Sequence, residues 1–180
     1  MKYLIASDIH GSGLYTEKLL SLYRKEKASR LLLLGDILYH GPRNPLPDGY
    51  EPKKVVELLT PLKNEITAVR GNCDSEVDEM VLGMHILDTS AIIDTPYYSL
   101  FLTHGHIYNS ENIPPLKENT VFLSGHTHIP IVEKKNGILF LNPGSVSLPK
   151  GESERGCIIF EDGTFTFKNL DGETKNSVII

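Results

Sequence analysis

Five short apolar runs, Tyr3–Ser7, Leu31–Leu34, Ile66–Val69, Leu100–Leu102 and Val121–Leu123, each give way abruptly to a polar motif. Runs this short, rich in aliphatic and β-branched residues, predict buried strands. Between the first and second runs, residues 12–27 carry Leu14, Leu19, Leu20 and Tyr23 at helical spacing, with Glu17, Lys18, Arg24 and Lys25 on the other side. That spacing predicts an amphipathic helix. Pro52 to Leu62 predicts a second helix with proline near its first turn, and Asp74 to Leu82 a short third one. The pattern then changes. Ile86–Asp94, Tyr97–Thr103, Thr120–Ser124, Ile129–Lys134, Ile138–Leu141, Gly156–Glu161 and Thr164–Lys168 all predict short strands, with one small helix near 109–117. Lys135-Asn136-Gly137 and Glu161-Asp162-Gly163 have the composition of tight hairpin turns. A βαβαβ half followed by a mostly β half predicts two sheets packed face to face with helices outside. No repeat or linker divides residues 1–180, so the expectation is a single domain.

The polar motifs carry the chemistry. They are Asp8-Ile9-His10, Gly35-Asp36, Gly71-Asn72-Cys73-Asp74, Thr103-His104-Gly105-His106 and Gly125-His126-Thr127-His128. Ligands of open α/β sheets bind where strands end, so five strand ends bearing Asp, Asn and His predict one shared pocket. Alternation along an extended segment would aim Asp8 and His10 the same way. Either Asp8 or Ser12 could instead cap the helix that follows. Gly35 permits close backbone approach beside Asp36, whose single carboxylate can bridge two cations. Asn72 offers a neutral oxygen, and Asp74 either caps the next helix or orients a neighbour. The two x-spaced pairs hold four of the seven histidines, and imidazole is the commonest transition-metal ligand. The mixed nitrogen and oxygen set suits a pair of divalent ions, with Mn²⁺, Fe²⁺, Zn²⁺, Ni²⁺ or Co²⁺ favoured over Mg²⁺ or Ca²⁺. His40 and His85 read as ordinary residues.

Composition narrows the partners. The net charge of -5 argues against nucleic acid. No apolar stretch is long enough for a spanning helix, the N-terminus lacks the layout of a signal peptide, and two cysteines, Cys73 and Cys157, do not make a disulfide framework. Cytoplasm is the expected compartment, and a small molecule the expected substrate.

In order and spacing the five motifs resemble the calcineurin-like metallophosphoesterase superfamily, whose pattern runs D-x-H, G-D, G-N-H-D/E, G-H, G-H-x-H. The resemblance covers nearly the whole chain. It is nearest to a subgroup of small bacterial phosphodiesterases, through residues 44–50, Gly71-Asn72-Cys73-Asp74 and Asn142-Pro143-Gly144-Ser145-Val146-Ser147. It implies an α/β fold, the four-layer α/β/β/α sandwich. It implies two metal sites, one held by Asp8, His10, Asp36 and His128, the other by Asp36, Asn72, His104 and His126, with Asp36 bridging. His106 would support rather than ligate. Manganese is the family's usual activating metal. The reaction implied is phosphodiester hydrolysis by in-line attack of a metal-bridging hydroxide.

Counting charge favours diesters. Two divalent ions, the Asp8 and Asp36 carboxylates and a hydroxide leave the cluster singly positive, which a diester monoanion neutralises and a monoester dianion overshoots. Cys73 departs from the pattern, since histidine is usual there. A thiol is a weaker general acid and carries no positive charge. Asn72, also a metal ligand, Cys73 and Asp74 are the catalytic candidates, with Arg43 and Asn72 as candidate substrate contacts. Arg43 lies on the proline- and glycine-rich loop 38–50, which is either a rim of the pocket or a contact in a homo-oligomer. The alternatives are a non-catalytic scaffold of the same fold, a phosphomonoesterase, or a dinuclear hydrolase of carboxylic or phosphonic esters. Seven filled ligand positions weigh against the scaffold.

Overall fold

A computed structural model describes residues 1–95 and 98–180. β1 (Lys2–Ala6), β2 (Arg30–Leu33) and β3 (Ile66–Ala68) run parallel, joined through α1 (Gly13–Glu26) and α2 (Pro52–Leu59). α3 (Glu76–Leu82) follows, then β4 (Ser90–Asp94), β5 (Ser99–Thr103), β6 (Thr120–Leu123), β7 (Pro130–Lys135), β8 (Ile138–Pro143), β9 (Gly156–Glu161), β10 (Thr164–Asn169) and β11 (Thr174–Ile179). They form a six-stranded sheet, β11-β10-β9-β1-β2-β3, and a five-stranded sheet, β4-β5-β6-β8-β7. In the second sheet β5, β6 and β8 are mutually parallel.

Strand alternation builds the layers. Leu4, Ala6, Leu31 and Leu33 face one way and pack under Leu19, Leu20 and Tyr23 of α1 and Val55 and Leu59 of α2. Tyr3, Ile5, Leu32 and Leu34 face the other way, against Leu100, Leu102, Val121, Leu123 and Leu141 of the second sheet. Each fully buried leucine contributes about 2 kcal/mol by leaving water, so both faces of β1 and β2 anchor the fold. The helix ends have local causes. Ser12, not Asp8, caps α1, its Oγ accepting from the Tyr15 N–H, and Lys27 ends it in the left-handed region. Ser75, not Asp74, caps α3 in a reciprocal box with Asp78.

Several expectations need correction. Residues 109–117 form no helix. The Asn109 side chain accepts the Glu111 and Asn112 N–H groups, holding a turn that competes with helical bonding, and Pro114-Pro115 lack donors. The outer face of the second sheet, Phe101, Phe122 and Phe140, is covered by Tyr108, Ile113 and Leu116 of this irregular segment. Among the described residues, the helices lie on the six-stranded sheet. Helix 52–62 ends at Leu59 and tightens into a 3₁₀ turn, Thr60–Leu62, around Pro61. Leu14 lies outside the packed face of α1, 45% exposed. Ile86 lies before β4 in the helix-side core, its N–H held by Glu79. The predicted start of the Tyr97 strand lies outside the described residues. β11 was not predicted: it is an edge strand with little alternation, mostly exposed. Both hairpin turns are present, with Asn136, Gly137, Asp162 and Gly163 at positive φ as type I′ geometry requires.

Candidate metal centre

The parallel strands of both sheets end at one edge of the sandwich, and the polar motifs meet there. Asp8 and His10 follow β1, Asp36 follows β2, Asn72 to Asp74 follow β3, His104 and His106 follow β5, and His126 and His128 follow β6. Extended alternation is not what aims Asp8 and His10. Both stand at positive φ (58° and 49°), as do Asp36 (56°), His126 (67°) and His128 (61°). Such backbone costs roughly 1–3 kcal/mol per residue and persists where the surroundings fix it. Five of the candidate ligands share it, so β1, β2 and β6 each turn sharply on leaving the sheet.

Glycines allow the loops to close. A Cβ on Gly71 would lie 2.1 Å from Asp36 Oδ1, one on Gly125 would lie 1.8 Å from Ser7 Oγ, and Gly35 (φ 95°) abuts the Gly71 backbone. Asp74 ties two of these loops together. Its carboxylate accepts the N–H groups of Asp36 (2.8 Å), Ile37 (2.8 Å) and Gly71 (2.7 Å). Burial pushes the Asp74 carboxyl above its usual range, against the pull of those three donors. The Asn142–Ser147 motif does the same on the other side. Asn142 Nδ2 donates to the Gly125 carbonyl (2.7 Å) and Thr127 Oγ1 (3.0 Å), while Ser145 and Ser147 donate to the Asp8 carbonyl.

Three imidazoles are oriented by backbone carbonyls. His10 Nδ1 meets Tyr39 O at 2.8 Å, His104 Nδ1 meets Leu34 O at 2.6 Å, and His128 Nδ1 meets Leu148 O at 2.6 Å. A carbonyl only accepts, so each Nδ1 carries a proton and each Nε2 faces inward, where a bound cation would take its lone pair. His10 Nε2 and His128 Nε2 then lie 3.2 Å apart. His128 Nε2 is 3.2 Å and His10 Nε2 3.5 Å from Asp8 Oδ1, a buried oxygen without a hydrogen-bond partner. Converging lone pairs and an orphaned carboxylate oxygen are what a cation would satisfy. Asp36 Oδ2 lies 3.4 Å from His104 Nε2 and 3.7 Å from His10 Nε2, and Asn72 Oδ1 is 3.1 Å from His104 Nε2. The ligand atoms fall into overlapping groups, Asp8-His10-His128, Asp8-Asp36-His104 and His10-Asp36-Cys73, each within 4.8 Å.

The remaining candidates stand further out. The His126 ring lies 5.1 Å from that of His104, and the His126 backbone N–H donates to Asp8 Oδ2. His106 is 5.3 Å from His104, ring to ring, and burial with the neighbouring histidines holds its pKa down. Arg43 is exposed on the 38–50 loop, outside the buried cluster. Burial disfavours charge on His104, but the Asp36 and Asp8 carboxylates overcome it and raise its pKa to about 9. Loading a cation on that nitrogen displaces this proton. Asp8 is held well below the usual carboxylate range, the His10 and His128 contacts outweighing burial. Cys73 N–H donates to Asp36 Oδ1 (2.8 Å), and burial together with the Asp36 charge pushes the thiol up to about 12. What sequence reading missed is the carbonyl support from Tyr39, Leu34 and Leu148, which carries no side-chain signature.

Residues 1–163 match the calcineurin-like phosphoesterase superfamily domain. The chain is 50% identical over 151 residues to the phosphodiesterase YfcE of Escherichia coli K12, covering 84% of this chain and 82% of the relative. A solved structure of YfcE, described as a phosphoesterase from E. coli, superposes with a TM-score of 0.97 at 45% identity, covering 100% of both chains. A Vps29 complexed with zinc from Entamoeba histolytica shares the fold at 20% identity, with a TM-score of 0.67 and 99% of each chain covered. The family match over residues 1–163 and the half-identical relative over most of both chains show that the chain belongs to the calcineurin-like phosphoesterase superfamily.

Proposed function

We propose that this chain is a metal-dependent phosphodiesterase working at a dinuclear centre. The observation that carries the reading is the pair of inward Nε2 lone pairs of His10 and His128, 3.2 Å apart beside the orphaned Asp8 Oδ1. The curated relative's activity on phosphodiesters supports the choice of bond. Asp8, His10, Asp36 and His128 would hold one ion, and Asp36, Asn72, His104 and His126 the other, manganese being the expected metal. Two bound divalent ions would supply an activated water for in-line attack at phosphorus and neutralise charge on the phosphoryl oxygens.

The protein's own residues do the rest. The Leu34, Tyr39 and Leu148 carbonyls hold each Nδ1–H and so aim each Nε2 at the centre. Asp74 holds the Asp36 and Gly71 loops in register. Asn72, whose Nδ2 donates to Cys73 Sγ at 3.2 Å, stands where it can both ligate and meet a substrate oxygen. In the metal-free protein burial and the Asp36 charge hold Cys73 as a neutral thiol, and a thiol adds no positive charge and is a weak proton donor to a poor leaving group. That favours monoanionic diesters and good leaving groups. Arg43, on the exposed 38–50 loop, would meet either a substrate phosphate or a second subunit. Both cysteines are free, which suits a cytoplasmic enzyme, and no helix of the described residues is long and apolar enough to cross a membrane.

A manganese-supplemented panel of an aryl phosphodiester, an aryl phosphomonoester and an aryl carboxylic ester tests this. The diester should be preferred over both. Cys73→His should raise the monoester-to-diester ratio of kcat/KM by about tenfold, part of the roughly 10²–10⁴-fold a general acid contributes. An unchanged ratio would remove Cys73 from the chemistry, and turnover of the carboxylic ester alone would contradict the phosphodiesterase reading.

A further inference from the structure

A groove of about 670 Å³ opens beside the candidate metal centre, running from Cys73 between the 38–50 loop, α2 and α3. Its walls are mainly Tyr39, Tyr50, Val56, Val77 and Val81. Three of these expose apolar surface, Tyr39 at 42%, Val77 at 61% and Val81 at 45%. Clustered exposed apolar side chains beside a reactive centre mark a recognition surface.

The groove is continuous with the centre at three points. Cys73 forms its floor, with Sγ grouped within 4.8 Å of His10 and Asp36 ligand atoms. Tyr39 supplies the carbonyl that orients His10. The Tyr50 ring packs on Gly11, next to His10, so closely that a Cβ there would lie 2.6 Å from it. The His40 ring stacks edge-on against both tyrosines, at 4.8 and 5.2 Å, and braces the wall. The charged lining residues are Lys53, Glu57 and Asp78, and Asp78 is already committed to capping α3.

We infer that this groove receives one organic arm of the diester, a neutral flat aromatic or heteroaromatic ring, while the phosphate sits at the metal centre. The inference rests on the phosphodiesterase reading and adds a substrate class to it. The volume lies within the range of small-molecule sites. Tyrosine faces and valine methyls stack on and enclose a flat ring, which gains both apolar burial and ring–ring contact. Among the lining residues one cation, Lys53, stands against two carboxylates, Glu57 and Asp78, which disfavours an anionic arm. An aryl ester and a nucleoside ester share this ring chemistry.

The experiment compares kcat/KM of the manganese-loaded enzyme for methyl aryl, nucleoside aryl and methyl alkyl phosphodiesters, in the wild type, V77E and V81E. Anisole, a ring without phosphate, is titrated into metal-free protein labelled at the valine methyls. The expected results are a ring-over-alkyl preference that falls about tenfold in V77E and V81E, and anisole shifts at Val56, Val77 and Val81. A larger preference for the nucleoside ester assigns the ring to a base; a larger one for the simple aryl ester assigns it to an aryl group. Equal kcat/KM for ring and alkyl diesters, or no anisole shift at these valines, overturns the proposal and leaves the phosphodiesterase reading intact. V77E turning an oligomer into a monomer with the ring preference intact also overturns it, reassigning the groove to a subunit contact. No turnover of any diester overturns the phosphodiesterase reading and the proposal with it.

Discussion

Asp36→Asn should lower kcat/KM for an aryl phosphodiester by about 10³-fold, beyond the 10–100-fold that loss of a supporting group costs. Asparagine keeps the volume and one oxygen, so the Cys73 N–H retains its acceptor. The charge is what disappears. Asp36 is 2% exposed and faces His104 Nε2 at 3.4 Å and His10 Nε2 at 3.7 Å, so its Oδ2 stands between the two candidate ligand sets. Neutralising it takes one of two carboxylates from a buried cationic site. The metal-free variant should melt lower than the wild type, because it loses the Asp36–His104 ion pair, an effect that relief of repulsion from Asp8 offsets only in part. Metal analysis beside the kinetics separates the causes: the variant should hold fewer ions per chain than the wild type at equal free manganese. Full metal content with near-normal rates would remove Asp36 from the centre.

Gly71→Ala should act through sterics alone and should still cost about 100-fold in diester kcat/KM. The added methyl would lie 2.1 Å from Asp36 Oδ1 and 2.3 Å from the Asp36 backbone nitrogen. Neither atom is the free end of a flexible chain. Asp36 N–H is bonded to Asp74, as is Gly71 N–H, so the two loops cannot separate without breaking that shared carboxylate link. Overpacking of this kind costs roughly 1–3 kcal/mol, or about 2–12 °C in Tm for a chain of this size. Displacing Asp36 by even 1 Å can cost 10²-fold in rate. Gly83→Ala is the control: it meets nothing within 4 Å, its positive φ (61°) is its only strain, and it lies outside the cluster. It should lose a little stability and no activity. Equal kinetics for the two variants would show that close packing at Gly71 does not hold the centre.

Much of this centre was legible in the sequence because its chemistry sits in side chains with few other uses. Two His-x-His pairs, an Asp-x-His and a Gly-Asp at strand ends have no economical structural explanation, and the structure draws Asp8, His10, Asp36, His104 and His128 together. The sandwich was legible for a similar reason, since alternation in Tyr3–Ala6 and Leu31–Leu34 serves two cores at once. Other features had no sequence signature. Asp8, His10 and Asp36 leave their strands in the left-handed region, which Asp and His tolerate better than most residues but which no local pattern marks, so simple strand alternation misassigned how Asp8 and His10 are aimed. The supporting carbonyls are backbone and leave no composition signal. Segment 109–117 misled because its apolar residues sit at helix-like intervals, while Asn109 and Pro114-Pro115 decide the backbone. β11 was silent because an exposed edge strand needs no alternating face.

Equilibrium dialysis of metal-free protein against Mn²⁺, with diester turnover measured on the same samples, tests the dinuclear phosphodiesterase most directly. The account predicts two ions per chain in the wild type, fewer in Asp36→Asn, and turnover that rises with occupancy of the second site. Full turnover at one ion per chain, or in chelator with no ion bound, would contradict it.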